Sequence, residues 1–435
     1  MYSPPSLTSP EHAVTPAHPN PHAILSRFLH VRAQTEQLAA PLSVEDCALQ
    51  SMTDASPVKW HLAHTSWFFE TFLLERFDTA FQPFHPSFKV LFNSYYNAVG
   101  EKHPRAERGL ISRPDLSTVQ AFRRHVTERT VDLIARLAGK NHAFDELMWL
   151  GINHEEQHQE LILTDVKHLF SKNPLSPAYQ PSKPFAAIGM HSQHWIGYEG
   201  GQVEIGHNGK GFGFDNEGPR HTVLLQPFEL SAYPVTQGEF AAFIGDGGYR
   251  RPEWWLSSGW DWVQTHHIQA PLYWHHKDGC WMIFTLQGMV EIDANTPACH
   301  LNYFEADAYA RWAKARLPRE TEWEYAAAAL PVAGNFVESQ AFHPLPLQEE
   351  RSSMQPVQMF GDVWEWTQSA YLPYPKFQPA TGAVGEYNGK FMCNQFVLRG
   401  GSCVTPQAHI RATYRNFFPP DARWQFSGLR LARDR

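Results

Sequence analysis

Long apolar runs, paired cysteines and an excess of positive charge are all missing from this 435-residue chain, and each absence excludes something. No apolar stretch approaches the roughly 18 residues that a spanning helix needs, so no membrane span is expected. The N-terminus has no basic segment leading into an apolar one, so it does not read as a secretory signal. The five cysteines, Cys47, Cys280, Cys299, Cys393 and Cys403, show no C-x-x-C spacing. That argues against a disulfide framework or a zinc ribbon and points to a reducing, cytoplasmic setting. A net charge of −8 argues against nucleic acid or an acidic membrane surface as a partner. Nor is there a repeat period of about 20–50 residues, which removes solenoids and propellers.

What is present divides the chain in two, as its length leads one to expect. Residues 1–22 carry six prolines and few large apolar groups and read as a mobile tail. Residues 23–172 have a helical pattern. Leu25, Phe28, Leu29 and Leu38 follow a 3.6-residue period. Ser56-Pro57 reads as the N-cap and first residue of a helix that bears His61 and His64 and continues to Leu74. Ser117 reads as the cap of a third helix with Phe122, Val126, Leu133 and Leu137 inward, and a fourth helix spans about 144–170. Four such helices suggest an up-down bundle, a scaffold that builds metal sites between facing helices. Pro174, Pro177, Pro181 and Pro184 mark a linker over 173–184. Residues 185–435 then turn to Gly, Trp and short mixed strands, with one clear helix near Tyr303–Lys314. Most of the 15 Trp read as an aromatic core. The expected fold is α+β in two domains.

His154 and His158 lie one turn apart on the fourth helix, so both imidazoles can reach one metal. With 24 His in the chain, about one such pair arises by chance, so the spacing needs context. An Fe or Zn site needs a third neutral imidazole from a rigid neighbour. His61 and His64 both offer one, and pattern alone does not choose between them. His154-Glu155-Glu156-Gln157-His158 also satisfies H-E-x-x-H, the zinc-protease helix whose Glu is a general base. The longer metzincin form fails, because Leu161 stands where Gly is needed and Thr164 where the third His belongs.

Trp60-His61-Leu62-Ala63-His64-Thr65 together with His154–His158 resembles the DinB-like bundle of the ergothioneine-pathway sulfoxide synthases. The C-terminal half resembles the formylglycine-generating-enzyme fold, a C-type-lectin-like arrangement. It does so through the segments 214–221, 234–237, 246–249, 316–324, 361–367, 399–402 and 428–432. The order of these short motifs across two domains is far more specific than any one of them. The resemblance implies a mononuclear non-haem Fe(II) held by His64, His154 and His158, with His61 left a structural role. It implies that a thiol is joined through O2 to C2 of the imidazole of Nα-trimethylhistidine (hercynine), leaving a sulfoxide. Three neutral ligands would leave positions on iron for substrates, and a thiolate forms more easily once bound to Fe(II). The site is expected between the two domains.

The same resemblance implies further residues. Arg105 and Arg108 match paired arginines for the thiol's carboxylate, a task that suits the planar guanidinium fork. Gln157, between two ligands, is a candidate contact for hercynine. Tyr371 and Tyr374 match the positions of active-site tyrosines, and Tyr95 and Tyr96 are rivals as proton donors. In the segment Tyr414–Pro419, Asn416, Phe417 and Phe418 correspond to pocket residues. Phe417 stands for a Trp and keeps an aromatic face for a trimethylammonium group. Phe418 stands for an Asp, and the Arg expected near Ala422 is missing or shifted to Arg423. Losing that acid–base pair disfavours γ-glutamylcysteine and favours free cysteine as sulfur donor. A formylglycine-generating enzyme needs a cysteine pair, and no cysteine follows Cys403. The ovothiol-pathway histidine–cysteine sulfoxide synthases often carry a methyltransferase domain, for which no segment after Arg435 is expected. A lectin-like binding module without a metal requirement is the remaining alternative.

Overall fold

The computed structural model describes residues 21–181, 193–346, 354–380 and 382–435. The expected tail lies outside these except for Pro21 and His22, which begin the first helix. Four long helices build the N-terminal part: α1 (Pro21–Ala39), α2 (Val58–Phe69), α3 (Leu116–Leu137) and α4 (His142–Ser171). α2 is buried along its whole length and runs on into a π-helical turn at Glu70–Leu74. Its apolar residues Leu62, Ala63, Trp67 and Phe68 therefore form the centre of the bundle. On α1 the inward set is Ile24, Phe28, Val31 and Leu38, whereas Leu29 faces solvent. On α3, Phe122, Val126 and Leu133 are buried as periodicity predicts.

Two caps differ from the expectation. Asp115, not Ser117, caps α3 by accepting the Thr118 N–H, and Ser117 only donates to Asp115. A carboxylate is the stronger acceptor at a helix start. Ser56 does not cap α2; its hydroxyl accepts from Arg108 instead, and Pro57 takes the N-cap position. α4 starts at His142 behind an Asn141 cap.

α4 passes unusually close to α2 at Gly151. A Cβ there would stand 2.7 Å from the Phe69 ring and 3.0 Å from that of Phe68, so only glycine permits the approach. His154 follows three residues later and stacks on Phe68.

The described residues of the C-terminal part hold four short α-helices, α5 (Gln237–Gly245), α6 (Ser257–His266), α7 (Tyr303–Trp312) and α8 (Glu320–Ala327). Among the described residues its twelve strands begin with β1 (Trp195–Tyr198), β2 (Gly201–Ile205), β3 (His221–Leu225) and β4 (Phe228–Pro234). Next come β5 (Trp274–Lys277), β6 (Cys280–Thr285), β7 (Gly288–Glu291) and β8 (Trp364–Ala370). The last are β9 (Phe396–Arg399), β10 (Asn416–Phe418), β11 (Ser427–Gly428) and β12 (Arg430–Asp434). They form small sheets in the orders β1-β4-β12, β10-β9-β8-β11, β2-β3 and β5-β6-β7. The molecule is thus α+β in two domains. Trp323, Trp364 and Trp366 fill the C-terminal core, and buried Arg430 pairs with Glu365 beneath them.

α4 is the seam between the two parts. Glu160 accepts from Trp364 Nε1 at 2.8 Å and from the Thr405 hydroxyl. Lys167 donates to His300 Nε2 at 2.6 Å. The described part of the proline-rich stretch also packs down, with Tyr179 buried and donating to the Leu38 carbonyl. Among the described residues no helix is long and apolar enough to cross a membrane.

Candidate metal centre and substrate cleft

α2 and α4 bring His64, His154 and His158 together, with donor atoms all within 4.8 Å of one another. All three rings are buried. His64 donates Nδ1–H to the Phe92 carbonyl at 2.6 Å, which leaves its Nε2 bare. His154 Nδ1 is buried with no hydrogen-bond partner. Burial holds His154 down to about 3, and it pushes His64 and His158 well below the ordinary imidazole range. Neutral, converging imidazoles with an orphaned buried nitrogen fit a divalent metal of the Fe or Zn type. His61 stands behind the cluster, with Nδ1 2.8 Å from His158 Nδ1 and Nε2 3.0 Å from Asp165 Oδ2. The choice that sequence spacing left open between His61 and His64 is therefore a choice between two layers.

Glu155, the would-be base of an H-E-x-x-H protease, points the other way. Its carboxylate accepts from Arg32 at 2.9 Å, from Thr35 at 2.8 Å and from Arg123. These partners hold it down at about 2 despite complete burial. It does not line the cleft. A carboxylate paired with two arginines on the side away from the cleft cannot act as base on a water held by the three histidines, which argues against the protease reading.

The cluster opens into a cleft of about 270 Å³ lined by both domains, on the scale of a small-molecule site. Tyr95, Tyr96, Arg105, Arg108, Gln157, Asn416, Phe417 and Phe418 all line it. Arg108 is buried and donates only to two hydroxyls, Ser56 Oγ at 2.9 Å and Ser94 Oγ at 3.0 Å. Its Nε has no partner, and among the described residues no carboxylate pairs with it. Burial lowers it to about 9. The guanidinium lies 3.4 Å from the Trp60 ring centre, and Trp60 stacks on His64 at 4.5 Å, so cation, indole and imidazole form one column. Arg105 is exposed and donates to the Tyr95 hydroxyl at 2.8 Å and to the Asp54 carbonyl. Arg415 also lines the cleft, but Glu320 takes it bidentately at 2.9 and 3.1 Å.

Tyr371 and Tyr374 are not among the cleft-lining residues. Tyr371 accepts from Asn216 at 2.8 Å and stacks behind Phe417 at 4.1 Å. Tyr374 sits in the ion cluster of Arg399 and Glu320. Several cleft residues were not singled out from sequence, Tyr414, Tyr387, Phe391 and Asp165 among them. Tyr414 accepts from Gln157 Nε2 at 2.9 Å and lies 3.0 Å from His409 Nε2. Tyr387 and Phe391 form an aromatic wall with Tyr95, and Asp165 closes the inner end. No signal of spacing links them, since Gln157 and Tyr414 meet only through the docking of the two domains.

A helical domain with three convergent histidines, closed by a small-sheet domain, defines the class. Residues 27–162 match the DinB superfamily, and residues 185–435 match the Sulfatase-modifying factor enzyme 1-like domain. Hercynine oxygenase of Mycobacterium tuberculosis is 32% identical over 440 residues, covering 95% of this chain and 99% of the relative. Hercynine oxygenase of Mycolicibacterium thermoresistibile is 33% identical, covering 96% of each chain. Formylglycine-generating enzyme of Streptomyces coelicolor is 27% identical over 60% of this chain and 95% of its own. The chain belongs to the hercynine oxygenase family of enzymes.

Proposed function

We propose that this protein is a non-haem Fe(II) sulfoxide synthase that joins cysteine to C2 of the hercynine imidazole with O2. The observation that carries the reading is a cluster of three neutral histidines beside a buried arginine that, among the described residues, has no carboxylate of its own. The reaction balances without an external reductant. Forming the C–S bond removes one C–H and one S–H, sulfoxidation takes one oxygen atom, and the other leaves as water.

His64, His154 and His158 would hold the iron, which when bound supplies the one-electron chemistry that dioxygen needs. Arg108 receives the thiol substrate's carboxylate, an anion it lacks in the protein itself, and Arg105 adds charge at the mouth. Gln157 spends one amide hydrogen on Tyr414 and keeps its carbonyl oxygen for the substrate imidazole N–H. Phe417 and Phe391 offer aromatic faces to the trimethylammonium group. Tyr95 is the favoured proton donor among the named tyrosines. Its oxygen accepts from Arg105, so its own O–H is free to donate into the cleft.

Cysteine is favoured over γ-glutamylcysteine. Arg423, the shifted candidate for a γ-glutamyl contact, is 3.7 Å from Glu305 and bonds the Ala270 carbonyl, and it does not line the cleft. Phe418 brings no charge there. Five free cysteines suit a reducing cytoplasm.

The test is anaerobic Fe(II) reconstitution, then O2 uptake and product mass with hercynine or histidine against cysteine or γ-glutamylcysteine. A hercynine–cysteine sulfoxide is expected. A protein that binds no iron and takes up no oxygen would sink the proposal. Replacing His64, His154 or His158 with Ala should each abolish iron retention.

A further inference from the structure

We infer that His61 and Asp165 form a positioning relay that sets the tautomer of His158 and presents its Nε2 to a metal. This rests on reading the three-histidine cluster as a metal site.

The hydrogen-bond partners allow two proton arrangements, and only the one with a neutral His61 yields a ligand. Asp165 Oδ2 accepts the Ser56 backbone N–H at 2.8 Å and stands 3.0 Å from His61 Nε2. A carboxylate oxygen only accepts, so His61 Nε2 carries its proton. Neutral His61 then has a bare Nδ1, which can only accept. His158 Nδ1, at 2.8 Å, must be its donor. His158 is thereby left with a bare Nε2, the form a metal requires. The reverse arrangement, an imidazolium at His61 donating to His158 Nδ1, would put the His158 proton on Nε2 and abolish the ligand.

The relay differs from the support of the other two rings. A backbone carbonyl fixes His64, and His154 Nδ1 has no support at all. Only His158 is linked to a formal negative charge, through a second imidazole that extends the carboxylate's reach. That charge raises ligand basicity at one position of three. Both relay members sit on the same rigid elements as the ligands, His61 on α2 and Asp165 on α4, so the geometry is built into the helix pair. His61 is consequently more than a filler of the core.

The experiment measures Fe(II) dissociation constants by chelator competition, and the His158 tautomer by 15N NMR of metal-free protein labelled at histidine. His61→Leu is expected to weaken iron binding about 10–100-fold. His61→Gln, whose side-chain oxygen can accept from His158 Nδ1–H, should recover part of that loss. Asp165→Asn keeps the hydrogen-bonding shape and removes the charge, and should cost about tenfold with an unchanged apo melting temperature. It decides the matter even where His61→Leu folds poorly. Wild-type His158 should show Nδ1–H. An Nε2–H tautomer, or folded variants with wild-type iron affinity, would overturn the relay alone. A wild-type protein that binds no divalent metal would overturn both the relay and the site.

Discussion

Glu155 and Arg108 are both buried charges of the helical domain, and they are held in opposite ways. Glu155 faces α1 and α3, where two arginines and a threonine consume its oxygens. Arg108 faces the cleft with only serine hydroxyls and an indole face. The first arrangement is closed: it ties three helices together on the side away from the cleft. The second is open, because a buried guanidinium without a counter-ion gains most when an anion arrives. Burial alone therefore does not distinguish structure from function; the presence or absence of a partner does.

That contrast can be broken most forcefully at Glu155. Glu155→Gln leaves two buried arginines facing each other, and unfolding by denaturant should show a loss of about 3–5 kcal/mol. A stable variant would mean that the pairing is incidental.

Lys167 is a third buried charge, with His300 as its one hydrogen-bond acceptor and neutral Cys299 and Cys403 nearby. Burial lowers it to about 8 from 10.5, so between those values the folded form binds fewer protons than the unfolded one. Stability then rises with pH through that window, and the cost of the buried charge is complete below pH 8. Lys167→Met should remove this slope, with a difference from wild type of at most about 3 kcal/mol. Parallel stability–pH curves for the two proteins would contradict it.

Arg108→Met should leave stability unchanged or higher, since it removes an uncompensated buried cation. Steady-state kinetics should show the thiol KM raised about 10–100-fold, with the KM for hercynine spared. An unchanged thiol KM would take Arg108 out of the substrate site.

Arg105→Met is the mildest case. Its guanidinium is exposed, so the thiol KM should rise only about two- to fivefold, and that effect should fade at high salt. An effect as large and as salt-resistant as that of Arg108 would erase the proposed division between mouth and floor.

Local pattern accounts for what was legible beforehand. The 3.6-residue period placed the four helices, and the i, i+4 pair placed His154 and His158 on one face. Caps were less readable, because Ser56 and Ser117 are ordinary N-cap residues that found better partners in Arg108 and Asp115. Leu29 fits the period of α1 yet lies outside, since the stripe that meets α4 is set by Ile24, Phe28 and Val31. Tyr371 and Tyr374 could not be ranked against Tyr95 and Tyr96 from sequence. Their distance from the cleft depends on how the loops after β8 and before α3 cross the seam.

The sequence by itself determined the helical scaffold, the change of composition near residue 173 and the paired histidines, because periodicity and spacing act over one or two turns. Only the tertiary structure decided how His61 backs the cluster that His64 joins, that Glu155 turns away, and that Arg108 meets no carboxylate among the described residues. Those outcomes depend on which side chains from distant segments meet, and on how many hydrogen-bond partners remain once they have met.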